Sequence, residues 1–153
     1  MHRNHIEIYA YNIHMDIDKL LRALDKDENE DLIDTTSESL RETVSSVLSE
    51  LHITRQEQAD LLVKLDGYKY IEDISSLHTG AYIRWICLID PSNIRLTKGA
   101  IVCDIKFTDT GISVVCKGYH HKHFQHKFDE CLIFQRLSDQ ERVLLSALDY
   151  LSK

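Results

Sequence analysis

The stretch Lys117-Gly118-Tyr119-His120-His121-Lys122-His123-Phe124-Gln125-His126-Lys127 concentrates side chains that could do chemistry in this 153-residue chain. It holds four of the nine histidines, three lysines and two aromatic residues, and no acid. Three readings fit it. A metal site would take His120 with His123, or His123 with His126, and complete a tetrahedron with Cys116 or Cys131. A nucleic-acid loop would set Lys117, Lys122 and Lys127 on phosphates, with Tyr119 and Phe124 as stacking platforms for bases. The third reading is a solvated hairpin connection. Under all three, protonation of the four histidines below about pH 6.5 makes the loop more basic.

Zinc ligands usually come as pairs from two knuckles, whereas the cysteines stand singly at positions 87, 103, 116 and 131. The expectation is therefore no bound metal and no other cofactor. Enzyme signatures are equally sparse. The chain has no phosphate loop, no Gly-x-Gly-x-x-Gly, no His-Glu-x-x-His and no Gly-x-Ser-x-Gly. Asp104, Asp109, Asp129 and Glu130 are too scattered for a paired-carboxylate site, and Cys116 has neighbouring histidines but no third orienting group. A non-catalytic protein is the expectation. Met1-His2-Arg3-Asn4 leads toward Ile6-Glu7-Ile8-Tyr9 rather than an apolar leader, so the thiols are expected to stay free in a reducing, intracellular compartment. The apolar run through Ile86–Ile89 is far too short to span a bilayer, so no membrane partner is expected.

Composition is that of an ordinary globular protein, with 43% hydrophobic and 28% charged residues. A chain of this length buries enough surface to fold without metal or disulfides. Its charge is uneven. Residues 1–66 carry 15 acids against 7 Lys or Arg, and residues 67–153 carry 10 acids against 11. A general nucleic-acid binder should be basic, and this chain carries a net charge of −7. The acidic front is explained either by solvated helix faces or by a docking surface for a basic partner.

Residues 1–67 are expected to form an acidic helical region. Ile13, Ile17, Leu20, Leu21 and Leu24 place a first helix at about Asp16–Lys26, followed by a charged loop. Thr35 and Glu38 have capping-box spacing for a second helix striped by Leu40, Val44, Val47, Leu48 and Leu51. Thr54 and Glu57 repeat that spacing before Ala59, Leu61, Leu62 and Leu65, with Gly67 closing a third helix. Ile6–Tyr11 alternates weakly, as a short strand would. Leu51–Leu62 has the look of the positioning helix in a helix-turn-helix, but Asp66–Asp73 supplies a turn and a strand where a recognition helix should follow.

Residues 68–153 are expected to form a small β-barrel-like domain with a C-terminal helix. Ala81–Ile89 is strand-rich, places Trp85 in the core, and ends in the turn Asp90-Pro91-Ser92-Asn93. Ala100–Phe107 alternates with Ile101, Cys103, Ile105 and Phe107 on one face. After Thr108-Asp109-Thr110-Gly111, Ile112, Val114 and Cys116 return inward. Matching the faces pairs Phe107 with Ile112, Ile105 with Val114 and Cys103 with Cys116. Cys131–Leu137 is a further strand, and Ser138 with Glu141 caps a last helix. The fold class is therefore α+β: N-terminal helices, then an antiparallel SH3-like or Sm-like barrel or curled meander, capped by a C-terminal helix.

Gly80–Ile86, Leu96–Val102 and Ile133–Ser138 together resemble small uncharacterised proteins of nucleocytoplasmic large DNA viruses, over about residues 68–153. The resemblance implies a viral setting, in the virion or host cytoplasm, as a virion component or a partner in viral gene expression. It brings no catalytic residue. The function expected first is a non-catalytic protein-interaction or assembly module with a protein partner. The alternative is a nucleic-acid-binding small barrel using Lys117, Tyr119, Lys122, Phe124 and Lys127.

Overall fold

The computed structural model describes residues 35–152, together with Arg22 and Leu32. The strand expected at Ile6–Tyr11, the charged loop after Lys26 and, apart from Arg22, the helix expected at Asp16–Lys26 lie outside the described residues. The chain divides into two compact units, Thr43–Arg136 and Met1–Glu42 with Leu137–Lys153. These bounds differ from the boundary expected between residues 67 and 68. The reason lies in the cores: Val44, Leu48 and Leu65 pack with Ile86 and Phe134, whereas Leu144 and Leu145 pack with Leu32 and Leu40.

Helix α1 spans Ser37–Ser49 and is capped one residue later than its Thr35–Glu38 spacing predicts. The Thr35 N–H already donates to the Leu32 carbonyl at 3.0 Å. Thr36 takes over the cap. Its N–H donates to Ser39 Oγ at 3.0 Å, and the Ser39 N–H donates to Thr36 Oγ1 at 3.1 Å, so a serine replaces the acid of a usual capping box. Helix α2 spans Arg55–Lys64 and has the expected Thr54–Glu57 box in both halves. Gly67, at φ +81°, then turns the chain into strand β1, Tyr68–Tyr70.

The sheet contains β1, β2 (Tyr82–Cys87), β3 (Ala100–Thr108), β4 (Gly111–Lys117), β5 (His123–Lys127) and β6 (Cys131–Arg136). All pairings are antiparallel, in the order β1-β6-β2-β3-β4-β5. The α+β layout is as expected, but the sheet is open rather than closed into a barrel. Strand β6 returns between β1 and β2, which leaves β1 and β5 as the edges among the described residues. The sheet curls all the same: Trp85 on β2 stacks on His126 of β5 at 4.4 Å, although β3 and β4 separate them.

Strands β2 and β6 are buried on both faces. Ile83, Trp85 and Ile133 pack with Val102, Val114 and Cys116, while Ile86 and Phe134 pack with Val44, Leu48 and Leu65. Such two-sided burial stabilises each large side chain by roughly 1.5–3 kcal/mol, making these central strands the anchor of the sheet. Val44, Leu48 and Leu65 belong to the helical stripes expected from the sequence.

The β3–β4 register is as expected at Phe107 opposite Ile112 and Ile105 opposite Val114. Beyond that it slips. A β-bulge between Val102 and Asp104 puts Val102, not Cys103, opposite Cys116. One extra residue reverses the alternation, so Ala100 and Val102 face the core and Ile101 and Cys103 face outward. The expected inward Cys103–Cys116 pair is therefore corrected: Cys116 is buried and Cys103 is exposed. Phe107 is 74% exposed because the hairpin tip extends beyond the core.

In the other unit, helix α3 spans Asp139–Leu151 and has both halves of the expected Ser138–Glu141 capping box. Leu144, Leu145 and Ala147 are buried with Leu32. Ser37 adds two hydrogen bonds to the Asp149 carboxylate, from its N–H at 2.8 Å and its hydroxyl at 2.6 Å. Among the described residues, no helix is long and apolar enough to cross a membrane.

Candidate functional site

The expected His-rich loop is only half a loop. Its second half, His123–Lys127, is strand β5, paired with β4 so that Lys117 lies opposite His123 and Cys116 opposite Phe124. Between the strands, Gly118 N–H donates to the Lys122 carbonyl at 2.7 Å and Lys122 N–H donates to the Tyr119 carbonyl at 3.3 Å. The two central residues of that turn, His120 and His121, have φ +57° and +59°. This is the backbone of a type I′ hairpin turn, a position that normally favours Asn-Gly. Two consecutive histidines hold it at a cost of roughly 1 kcal/mol or more apiece. Replacing His120 with Asn and His121 with Gly is expected to raise unfolding free energy by about 1–2 kcal/mol. Urea denaturation followed by Trp85 fluorescence reads the change, and an unaltered midpoint would refute the strain.

Sheet register brings distant residues to this turn. Tyr82, Ile101, Lys117 and His123 are successive Cα partners across β2, β3, β4 and β5. At that end of the sheet lies a cleft of about 710 Å³. Lys98, Lys117 and Lys122 give it positive charge, Tyr82, Tyr119 and Phe124 give it aromatic surface, and no Asp or Glu is among its described lining residues. Tyr119 is 87% exposed, so its ring is free for a ligand to cover. A smaller space of about 370 Å³, lined by Cys103, His120 and His121, adjoins it along Ile101, Lys117 and Gly118.

Tyr82 is fixed before any ligand arrives. Its hydroxyl donates to the Lys98 carbonyl at 2.7 Å, and the Arg136 guanidinium stands 4.3 Å over its ring. Gly99 is at φ +106°, and a Cβ there would lie 2.7 Å from the Tyr82 ring. Gly99→Ala therefore combines a disfavoured backbone with a clash. It is expected to cost roughly 2 kcal/mol or more in thermal or urea unfolding, and a neutral result would show that the Tyr82 ring is free to move.

Four of the five residues picked from the sequence thus meet: Lys117, Tyr119, Lys122 and Phe124 line the cleft. Lys127 does not, because it pairs with Ser113 at the far end of β5. Tyr82 and Lys98 were missed. The available signal was a repeated Lys-Gly dipeptide, Lys98-Gly99 and Lys117-Gly118, at the two open ends of one hairpin.

His126 also departs from expectation. It turns inward onto Trp85, and both ring nitrogens are buried with no hydrogen-bond partner among the described residues. Burial pushes its pKa down to about 4, so it stays neutral near pH 7 and adds no charge to the loop. Nor does the metal reading gain a donor set. Burial pushes the Cys116 and Cys131 thiols up to about 12, against the thiolate form that zinc requires. Among the described residues, no three His, Cys, Asp or Glu side chains gather where they could hold a metal ion.

No protein-family model, curated protein or solved structure matches the chain. The cleft must be understood from its chemistry. Three ammonium groups beside aromatic rings make a surface suited to an anionic, partly flat ligand.

Proposed function

We propose that the protein is a non-catalytic interaction module that works through this cleft, and that the cleft takes single-stranded nucleic acid. The observation that carries this reading is the meeting of Lys98, Lys117 and Lys122 with Tyr82, Tyr119 and Phe124 in one acid-free cleft. Lysines track phosphates and exposed rings stack on bases, a combination that tolerates any sequence. The net charge of −7 opposes long-range attraction. Its excess of acids falls outside the unit that forms the cleft, since Thr43–Arg136 holds 11 acids and 11 Lys or Arg. The test is titration of labelled single- and double-stranded oligonucleotides at several salt concentrations, with wild type and a Lys98/Lys117/Lys122→Gln variant.

A second reading is an assembly module with a protein partner. What favours it is the outer edge of β5, unpaired among the described residues, whose backbone groups can pair with an added strand. The setting we propose for either reading is viral, after the resemblance in residues 68–153. The segments that carry it supply Tyr82, its hydrogen-bond acceptor Lys98 and its cation Arg136.

A further inference from the structure

All four cysteines are free thiols. Cys103 and Cys116 are separated by the bulge, one outside and one buried. Cys87 and Cys131 are different. They are direct Cα partners in the β2–β6 ladder, 44 residues apart in sequence, and neither strand is irregular there. The ladder's hydrogen bonds identify the kind of pair. Leu88 N–H donates to the Glu130 carbonyl at 2.9 Å. One step back, Cys87 and Cys131 therefore occupy a non-hydrogen-bonded position, where Cα atoms stand about 4.5 Å apart and side chains approach most closely. That spacing lies inside the range of roughly 4.4–6.8 Å that a disulfide spans. Both side chains leave the same face of the sheet, because directly opposed residues always do.

We propose that Cys87 and Cys131 form a dithiol site that a small disulfide such as oxidised glutathione converts reversibly into a cross-strand disulfide. Cys87 is exposed and Cys131 is buried, which sets the order of events. Cys87 loses its proton to solvent and its thiolate attacks one glutathione sulfur. The glutathione S–S bond breaks, one glutathione leaves as thiol after taking up a proton, and Cys87 carries a mixed disulfide. Cys131 then loses its proton and attacks Cys87 Sγ, expelling the second glutathione. Two electrons pass from the protein thiols to oxidised glutathione, and two protons end on the two glutathione thiols. Burial is the largest cause that raises the Cys131 thiol above its usual value, and it persists while Cys87 carries glutathione. The second step is therefore the slow one near neutrality. Closure fixes the ladder whose other end holds Tyr82 beneath Arg136.

The experiment treats the full chain with oxidised glutathione, quenches with acid, alkylates and maps by mass. Trypsin releases Cys87 in peptide 85–95 and Cys131 in peptide 128–136, so the predicted link joins those two peptides. The expected result is a protein two hydrogens lighter with that link, preceded by a glutathione adduct on Cys87. The adduct should close about tenfold faster per pH unit from pH 7 to 9, as the Cys131 thiolate fraction rises. Cys131→Ser should hold the adduct on Cys87 indefinitely, and Cys103→Ser should change nothing. A dominant 103–116 link, or a wild-type protein that keeps glutathione on Cys87 at equilibrium, would overturn the proposal.

Discussion

Lys98/Lys117/Lys122→Gln is expected to weaken binding to a single-stranded oligonucleotide about 100-fold at about 0.1 M salt. Each phosphate contact on a single strand contributes about 0.7 to the slope of log affinity against log salt, so losing three flattens that slope by about 2. A second variant separates charge from stacking. Tyr119 is almost wholly exposed, so Tyr119→Ala removes a platform without touching the core. It should cost roughly 1–3 kcal/mol of binding and leave the salt slope unchanged. Lys127→Gln is the internal control, because Lys127 lies at the far end of β5 and should have little effect. Fluorescence anisotropy at four or five salt concentrations reads all three. Equal loss from Lys127→Gln would mean a diffuse basic surface rather than a cleft. No binding by wild type would leave the assembly reading, with the open β5 edge as the surface to probe.

The parts of the fold that were legible in the sequence are those decided within a few residues. Thr54 with Glu57 and Ser138 with Glu141 satisfy backbone groups three residues away, and both boxes form as spelled. The β3–β4 hairpin was legible at its closed end, where a tight turn and alternating faces leave one register. Its open end was not. A bulge at Cys103 is a matter between two strands, and nothing in Ile101-Val102-Cys103-Asp104 marks the residue left out. The place of β6 was hidden for a related reason. Cys131-Leu132-Ile133-Phe134 is apolar on both faces, which fits any interior position, so pattern alone does not insert β6 between β1 and β2. Strand β5 was concealed by its composition, since His123-Phe124-Gln125-His126-Lys127 has few of the residues that mark a strand. Its alternation is nevertheless real, with Phe124 and His126 both directed at Trp85.

The candidate site divides along the same line. Lys117, Tyr119, Lys122 and Phe124 are neighbours in sequence and were visible as a cluster. Tyr82 and Lys98 reach it only through the pairing of β2 with β3 and of β3 with β4. A linear reading also overvalued Lys127 and His126, because it treated as one loop a segment that turns back along the sheet. Residues two apart on a strand share a face, and residues one apart do not. That is why His126 is spent on the core while its neighbour Lys127 is not.

His126 supplies the second large effect, and its sign follows from linkage. In the unfolded chain its pKa is near 6.5, and in the folded protein burial holds it at about 4. Above pH 6.5 the imidazole is neutral in both states and stability is unaffected. Between pH 6.5 and 4 the unfolded chain binds a proton that the folded protein refuses, so stability falls as pH falls. Below pH 4 both states are protonated and the loss stops growing. The side chain is partly open to solvent, so after screening the loss is about 2 kcal/mol. His126→Phe keeps a ring against Trp85 and removes two buried nitrogens that lack partners among the described residues. At pH 7 the variant should be more stable by about 1 kcal/mol, because an unpaired buried polar group is costly. At pH 4 its advantage should widen to about 3 kcal/mol, since the substitution removes the His126 titration. Urea unfolding at half-unit pH steps measures the difference directly. Two parallel stability curves would mean that the His126 imidazole is hydrated in the folded state and that the stack on Trp85 opens to water.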